Sequence, residues 1–341
     1  MNSIFNHKFC DFFTHFFAIP VVSRRLRFLT AVSLQIRRCL MRNFMKTMFL
    51  KQREKFDQET SVRNANFQIP DDIKLVENIP YLNDSCPAHT MDIYRPASLV
   101  PSRPVIINVH GGGLMEGSKE FNRRFCIQLC RQNFVVFSIE YRLIPDVTVY
   151  EQLDDVSRAM DAVKSLIIRY QGNPNQVYII GDSAGAYLIA YAVAMQNSPE
   201  LAGAAHVHPS SLPIQALGLI SGMFYTRKLD KIGLFLPRFL YGSGYRKTSF
   251  APYTNPEHPA ITKNLPPCYL VTSKDDMLQH YTLNFAKALR KQNTPYHLLD
   301  LPANKKLIHA FCVFEPEMPE SINTIHDMTN FLRNFPVKNR K

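Results

Sequence analysis

The chain has 341 residues, of which 46 % are hydrophobic and 20 % are charged, and its formal net charge is +12. This composition is ordinary for a globular protein, and the length leaves room for one large α/β domain with an added lid. About eleven Lys and Arg residues against about two acids lie in residues 1–55, so the excess positive charge belongs to one appendage. That uneven distribution excludes a general nucleic-acid-binding surface.

No stretch of the sequence is both long and apolar enough to span a bilayer. An aromatic cluster at residues 12–17 precedes the arginines, which is the reverse of the order in a secretory signal. Seven cysteines without a Cys-x-x-Cys pair indicate a reducing compartment, so we expect a cytoplasmic protein. His206 and His208 lack partners at metal-ligand spacing, and the sequence therefore predicts no metal site.

Residues 21–56 show helical periodicity, because apolar side chains recur every three or four positions among many Lys and Arg. One interpretation is a basic helix that contacts a membrane surface or a partner. The other is a helix that packs on the body of the protein as part of a cap. We assign residues 1–68 to a basic helical extension that serves as a cap, and peripheral membrane association through it stays an alternative.

Strand and helix patterns alternate from residue 69 onward. The predicted strands are residues 73–79, 89–96, 104–109, 134–139, 176–180, 214–221, 267–273 and 296–301, the first two as a hairpin. The predicted helices are residues 121–131, 151–170, 186–195, 281–292 and 320–334. This alternation predicts an α/β fold with a mainly parallel sheet that helices cover on both faces.

A segment rich in aromatic residues, Gly and Pro interrupts the alternation at residues 222–260. It is an insertion over the sheet that either forms an apolar lid or folds as an irregular excursion with a small core of its own. The chain is therefore divided into the extension at residues 1–68 and a main domain at residues 69–341, which contains the insertion.

The most informative stretch is Gly181-Asp182-Ser183-Ala184-Gly185, which joins an apolar strand pattern to a helix pattern. In this strand, turn and helix context, Gly-x-Ser-x-Gly predicts a serine held on a strained turn, clear of the sheet. Gly181 and Gly185 remove side chains that would collide with the adjoining strand and helix. The amide of Ala184, at the start of the helix, is placed to face an anion. The alternative is a plain glycine-rich loop.

A serine nucleophile needs a base within hydrogen-bond reach, and the base needs an acid to orient it. In a parallel sheet, all three come from loops at the carboxyl ends of strands. Ser183, Asp276 and His309 each follow a predicted strand, in that order along the chain. Asp275 is adjacent to Asp276 and stays an alternative acid, and Asp300 is a more distant one.

A second glycine-rich stretch, His110-Gly111-Gly112-Gly113, directly follows the predicted strand at residues 104–109. Such a run leaves backbone amides free to turn inward. We expect Gly112 and Gly113, together with Ala184, to donate hydrogen bonds to an oxyanion formed at the serine. We assign His110 to holding this loop, and not to the role of a base.

With these motifs, residues 91–335 resemble the hormone-sensitive-lipase-type branch of the α/β-hydrolases, the His-Gly-Gly-Gly esterases and lipases. The matching blocks are residues 91–96, 110–113 with Gly117 and Ser118, 141–145, 181–185, 265–267 and 308–311. The resemblance implies that residues 69–341 form an α/β-hydrolase catalytic domain. It also implies a carboxylic-ester hydrolase with no cofactor and N-terminal helices that contribute to a cap over the acyl pocket.

Two positions depart from the family pattern. The family usually has Asp-Pro-Leu followed by an acid, whereas residues 275–279 read Asp-Asp-Met-Leu-Gln. Aligning Leu278 with the family leucine selects Asp276 and leaves Asp275 as the alternative. Glu116 lies beside the glycine loop, where the family commonly has an apolar residue. It either makes the mouth of the pocket more polar or faces water.

The function expected from these residues is that of a serine hydrolase that cleaves small-molecule carboxylic esters with small to medium acyl groups. The reaction would use a Ser-His-Asp triad and an acyl-enzyme. An amidase, deacetylase or peptidase would use the same parts, and a membrane-docked lipase would use the basic helix as well. A non-catalytic hydrolase-like binding protein is the remaining alternative, although it should lack at least one triad residue.

Overall fold

The computed structural model describes residues 27–98, 100–228 and 236–335, with side chains from residue 43 onward. Parts of three predictions lie outside these residues. They are the start of the N-terminal extension at residues 1–26, residues 229–235 of the insertion, and residues 336–341 at the end of the main domain.

An eight-stranded sheet forms the centre of the described part, in the spatial order β1-β2-β4-β3-β5-β6-β7-β8. The strands are β1 (Ile73–Pro80), β2 (Thr90–Pro96), β3 (Arg103–Val109), β4 (Val135–Ile139), β5 (Gly172–Asp182), β6 (Leu217–Ile220), β7 (Cys268–Ser273) and β8 (Tyr296–Leu301). Strand β2 pairs antiparallel with β1 and β4, and the remaining pairs are parallel. The predicted mainly parallel α/β fold is confirmed.

Helices connect the parallel strands, because a parallel pair needs a crossover long enough to return to the starting edge, and further helices precede the first strand and follow the last. They are α1 (Arg27–Asn64), α2 (Arg123–Arg131), α3 (Val149–Leu166), α4 (Ala184–Met195), α5 (Pro199–Ala205), α6 (Pro237–Tyr241), α7 (Pro259–Thr262), α8 (Gln279–Lys291), α9 (Phe311–Phe314) and α10 (Pro319–Arg333). Within the described ranges, none of these helices combines the length and the apolar character that crossing a bilayer requires.

Side chains of the inner strands alternate between two hydrophobic clusters, one on each face of the sheet. Val105 and Ile107 of β3 pack with side chains of α3, α4 and α8. Ile106, between them, packs on the other face with side chains of α2 and α10. All three are fully buried, which is why this strand reads as a continuous apolar run in the sequence.

Two helices show how the structure departs from the sequence-based prediction. Helix α1 continues to Asn64, whereas the apolar periodicity predicted an end at residue 56. Helix α5 was not predicted, although the residues that mark its start are adjacent in the sequence. The side chain of Ser198 accepts a hydrogen bond from the amide of Leu201, and Pro199 occupies the first helical position.

Helix α1 packs across the loop that follows β3. Arg53 donates to the carbonyl oxygens of Met115 at 3.0 Å and Ile144 at 2.7 Å, and it forms an ion pair with Asp146 at 2.7 Å. The ring of Phe56 lies 4.7 Å from that of Phe121, between ring centroids. This is the packing that the cap interpretation anticipates, and the cap role itself stays a prediction.

The insertion between β6 and β7 places its described aromatic side chains in the main core. The hydroxyl of Tyr241 lies 3.0 Å from that of Tyr187 on α4 and 2.7 Å from Oγ1 of Thr226. Phe250 is fully buried beside them. These aromatics therefore hold the insertion against α4. The role of the segment as a lid stays a prediction.

Candidate active site

The turn between β5 and α4 brings Ser183 to the carboxyl edge of the sheet. Its backbone has φ 49° and ψ −111°, a conformation that costs free energy for a residue with a side chain. A Cβ atom at Gly185 would lie 2.1 Å from the carbonyl oxygen of Val109, and one at Gly181 would lie 2.5 Å from the carbonyl carbon of Gly185. Both flanking glycines are therefore required by close backbone packing.

Three side chains predicted from separate loops form one hydrogen-bonded chain. Oγ of Ser183, after β5, lies 2.9 Å from Nε2 of His309, after β8. Nδ1 of His309 lies 2.8 Å from Oδ1 of Asp276, after β7. An ionised carboxylate only accepts hydrogen bonds, so the Nδ1 atom carries the proton and Nε2 is left free to accept one from the serine.

Asp276 is buried and held by further donors. The amide of Leu278 donates to Oδ1 at 2.9 Å, and the hydroxyl of Thr272 donates to Oδ2 at 2.9 Å. Burial favours the neutral acid, but the charge and hydrogen bond of His309 outweigh it and hold the pKa of Asp276 at about 2. The carboxylate therefore stays ionised throughout the neutral pH range.

The two alternative acids contact other groups. Asp275 accepts a hydrogen bond from the backbone amide of Asn304 at 2.6 Å. Asp300 accepts one from the side chain of Gln279 at 2.9 Å. Of the three candidate carboxylates, Asp276 is therefore the one in hydrogen-bond contact with His309.

The electrostatics of His309 follow from its burial next to Asp276. Burial disfavours the imidazolium, but the neighbouring carboxylate outweighs this effect and raises the pKa of His309 above its ordinary value. The pair therefore keeps the Nδ1 proton on the imidazole and the negative charge on the carboxylate. This arrangement suits a side chain that accepts a proton and later returns it.

The glycine loop forms a tight turn opposite Ser183. Gly112 and Gly113 have φ values of 107° and 61°, and the carbonyl oxygen of Gly112 accepts from the amides of Met115 and Glu116. Neither glycine amide donates to a protein acceptor within the described residues. Ala184 is the first residue of α4, so its amide has no partner inside the helix. Three backbone donors are thus available on this side of the sheet.

His110 contacts the glycine loop and the strand end beside it, and its role in holding the loop stays a prediction. Its Nε2 lies 2.7 Å from Oε1 of Glu140, its Nδ1 lies 2.8 Å from the carbonyl oxygen of Gly111, and its ring stacks on Tyr141. Burial opposes the imidazolium, but Glu140 outweighs it and raises the pKa of His110. Sequence reasoning missed Glu140, although an acid directly after a buried strand, at the carboxyl edge, was the available signal.

Asp182 joins the serine turn to the glycine loop. Its Oδ1 accepts from the backbone amide of Gly111 at 3.1 Å and from the side chain of Asn122 at 2.9 Å. Burial raises the pKa of this carboxyl group. Asn122 was not predicted, because nothing in its local sequence marks a contact with a residue sixty positions away.

A cavity of about 150 Å³ lies against these groups. Its apolar lining consists of Phe56, Phe121, Met223, Met277, Leu278, Ile308, Phe311 and Phe314. Its polar lining includes the glycine loop, Ser183, His309 and Glu116. Among the described residues of the insertion, only Met223 belongs to this lining. The apolar walls therefore come mainly from α1, from the loop before α2 and from the residues around α9.

Known proteins are similar to part of this chain in sequence. Residues 106–313 match a family model described as alpha/beta hydrolase fold. The isoprenylcysteine alpha-carbonyl methylesterase of Arabidopsis thaliana is 28 % identical over 201 residues, which are 56 % of this chain and 46 % of that protein. Neutral cholesterol ester hydrolase 1 of Mus musculus is 30 % identical over 153 residues, 43 % of this chain and 33 % of that one. The match covers less than half the length of each of these plant relatives.

Solved structures share the architecture. Esterase B from Lactobacillus rhamnosis superposes with a TM-score of 0.79 at 23 % identity, covering 86 % of this chain and 95 % of that one. An esterase from Pyrobaculum calidifontis gives 0.63 at 21 % identity, covering 84 % and 92 %. At these identities the likeness establishes the fold. The family match, which covers more than half of the chain, confirms the resemblance, and this chain belongs to the hormone-sensitive-lipase-type α/β-hydrolase family.

Proposed function

We propose that this chain is a serine hydrolase that cleaves carboxylic esters with small to medium acyl groups. The observation that carries the proposal is the hydrogen-bonded chain from Ser183 through His309 to Asp276, which lies on the same cavity as the glycine loop. Relatives named as a methylesterase and a cholesterol ester hydrolase support the choice of carboxylic esters.

Acylation begins when Oγ of Ser183 attacks the ester carbonyl carbon and Nε2 of His309 takes the hydroxyl proton. The carbonyl oxygen becomes an oxyanion, which the amides of Gly112, Gly113 and Ala184 stabilise. The tetrahedral intermediate then collapses, the bond to the alcohol oxygen breaks, and that oxygen takes the proton from His309. The acyl group stays on Ser183.

Deacylation repeats these steps with water. Nε2 of His309 takes a proton from a water molecule, whose oxygen attacks the acyl carbon. Collapse of the second intermediate releases the carboxylic acid and returns the proton to Ser183. Throughout the cycle the carboxylate of Asp276 keeps the Nδ1 proton in place and stabilises the imidazolium when it forms.

The expected acyl size follows from the cavity. A volume of about 150 Å³ and walls built mainly from Phe, Met, Leu and Ile favour a short apolar chain. An amidase, deacetylase or peptidase would use the same groups, and no contact in the described residues favours one of them. The membrane-docked alternative depends on the basic N-terminal segment, most of which lies outside the described side chains, and it stays a prediction.

The test is hydrolysis of p-nitrophenyl esters from acetyl to palmitoyl by the wild type, by Ser183→Ala and by a control, Ser165→Ala, which alters an exposed serine of α3. We expect maximal kcat/KM at short to medium chains and a loss of about 10⁴-fold or more in Ser183→Ala. Ser165→Ala should behave as the wild type. Full activity in Ser183→Ala, or a maximum at palmitoyl, would contradict the proposal.

A further inference from the structure

Glu116 is a buried acid at the cavity that the proposed reaction does not use. It follows the glycine loop, lines the cavity and is only 8 % exposed. Among the residues that the structure describes, no group donates a hydrogen bond to its Oε2 atom. A buried acceptor without a partner costs free energy, and a donor on a molecule bound in the cavity would offset that cost.

Polar and charged side chains of α1 act on the carboxyl group of Glu116. Gln52 hydrogen-bonds to it, Asp57 and Glu59 add negative charge, and Lys55 supplies part of a counter-charge. Burial, followed by these two acids, raises the pKa of Glu116 to about 7. On α1 the acids outnumber the base, so this side of the cavity favours a cation.

A second base on this helix, Arg53, is engaged by other partners. Arg53 donates to two backbone carbonyls of neighbouring loops and forms its ion pair with Asp146. Its contact with this loop is made to the backbone of Met115. No arginine or lysine within the described residues forms an ion pair with Glu116.

We propose that Glu116 is a specificity-determining residue that binds a positively charged amino group of the ester substrate. This inference rests on the proposed ester hydrolysis and names its substrate class, an ester with an apolar portion and an ammonium group. The ammonium group would donate to the carboxylate oxygen that the protein leaves without a donor. The apolar portion would lie against the Phe and Met side chains of the same cavity.

The first test compares ester pairs that differ only by an ammonium group in place of a methyl group. One pair, phenyl 6-aminohexanoate and phenyl heptanoate, carries the change in the acyl part. The other, 4-aminobutyl butanoate and pentyl butanoate, carries it in the alcohol. In at least one pair we expect the wild type to favour the amino ester in kcat/KM by about tenfold or more.

Three variants assign that preference to the carboxyl group. Glu116→Gln keeps the shape and removes the charge, so the ratio within the pair should fall to about one. Glu116→Asp keeps the charge and should retain more of the ratio than Glu116→Gln. Glu54→Gln removes an exposed acid from the same helix and should keep the wild-type ratio. An unchanged ratio in Glu116→Gln, or a wild type that favours the neutral ester of both pairs, overturns the proposal.

A binding measurement separates this inference from the proposed reaction. Calorimetric titration of n-hexylammonium into Ser183→Ala should give an affinity about tenfold higher than in Ser183→Ala/Glu116→Gln. Equal affinities overturn the assignment of Glu116, whatever the activity of the wild type. If the wild type cleaves no ester while the ammonium ion binds through Glu116, then the proposed function fails and the cation site stands.

Discussion

Oδ1 of Asp276 lies 2.8 Å from Nδ1 of His309, whereas the preceding residue, Asp275, accepts a hydrogen bond from the amide of Asn304. Two adjacent carboxylates thus have different partners and different burial. Asp276 is buried, and Asp275 is exposed. The difference follows from the turn after β7, which directs consecutive side chains to opposite sides.

Asn substitutions at these two positions give a matched pair for the triad assignment. Asp276→Asn removes the charge that orients and stabilises His309, so kcat should fall by about 10³- to 10⁴-fold. Asp275→Asn removes an exposed charge but keeps an oxygen that can accept from the amide of Asn304, and its kcat should stay within about threefold of the wild type. The measurement is kcat for the best p-nitrophenyl ester. A comparable loss in both variants would refute the assignment of Asp276.

The pH dependence of kcat/KM should report the protonation of His309. The base acts in its neutral form, and Asp276 holds the pKa of His309 above its ordinary value against the effect of burial. Activity should therefore rise with pH, with its acid midpoint above about 6.5. In Asp276→Asn the midpoint should move to lower pH, because the main contribution that opposes burial is removed and only the weaker effect of Asp182 remains. Rates from about pH 5 to about pH 9 test this, and a midpoint that rises in the variant contradicts it.

Glu116 should make the folded state less stable as the pH rises. The pKa of its carboxyl group is about 7 in the folded state and 4.5 ordinarily, so the folded state binds the proton more tightly. The free energy of unfolding should therefore fall between about pH 4.5 and about pH 7, by about 3 kcal/mol from this group. Glu116→Gln removes this contribution.

Urea unfolding of the wild type, Glu116→Gln and Glu54→Gln at several pH values measures that effect. The difference in unfolding free energy between Glu116→Gln and the wild type should grow across this window, and Glu54→Gln should follow the wild type. A constant difference for Glu116→Gln would show that its carboxyl group titrates normally.

Two glycines give opposite expectations for substitution by alanine. A Cβ at Gly185 would lie 2.1 Å from the carbonyl oxygen of Val109, so Gly185→Ala should lower the free energy of unfolding by about 2–3 kcal/mol. Gly203, inside α5, has no atom within 4 Å of such a Cβ, and Gly203→Ala should raise stability by about 0.5–1 kcal/mol. Denaturant unfolding measures both. Destabilisation by Gly203→Ala, or none by Gly185→Ala, would contradict the close packing described.

The local motifs were predictable because the backbone conformation of each one requires particular residue types at adjacent positions. The turn at Ser183 needs small neighbours, and the glycine loop needs positive φ angles, so both leave a pattern in the sequence. Helix α5 also had such a pattern, a capping Ser198 followed by a proline, which shows that local signals can be overlooked. The strand order and the end of α1 depended on packing partners and carried no such pattern.

Sequence patterns alone predict the alternation of strands and helices, the serine turn, the glycine loop and the chain order of Ser183, Asp276 and His309. These features arise from local backbone requirements and hydrophobic periodicity. Packing between distant elements places Asp276, and not Asp275, against His309, brings Glu140 to His110, and buries Glu116 next to α1. Each of these depends on contacts between elements far apart in the chain, because burial and hydrogen-bond geometry are set by how the elements pack.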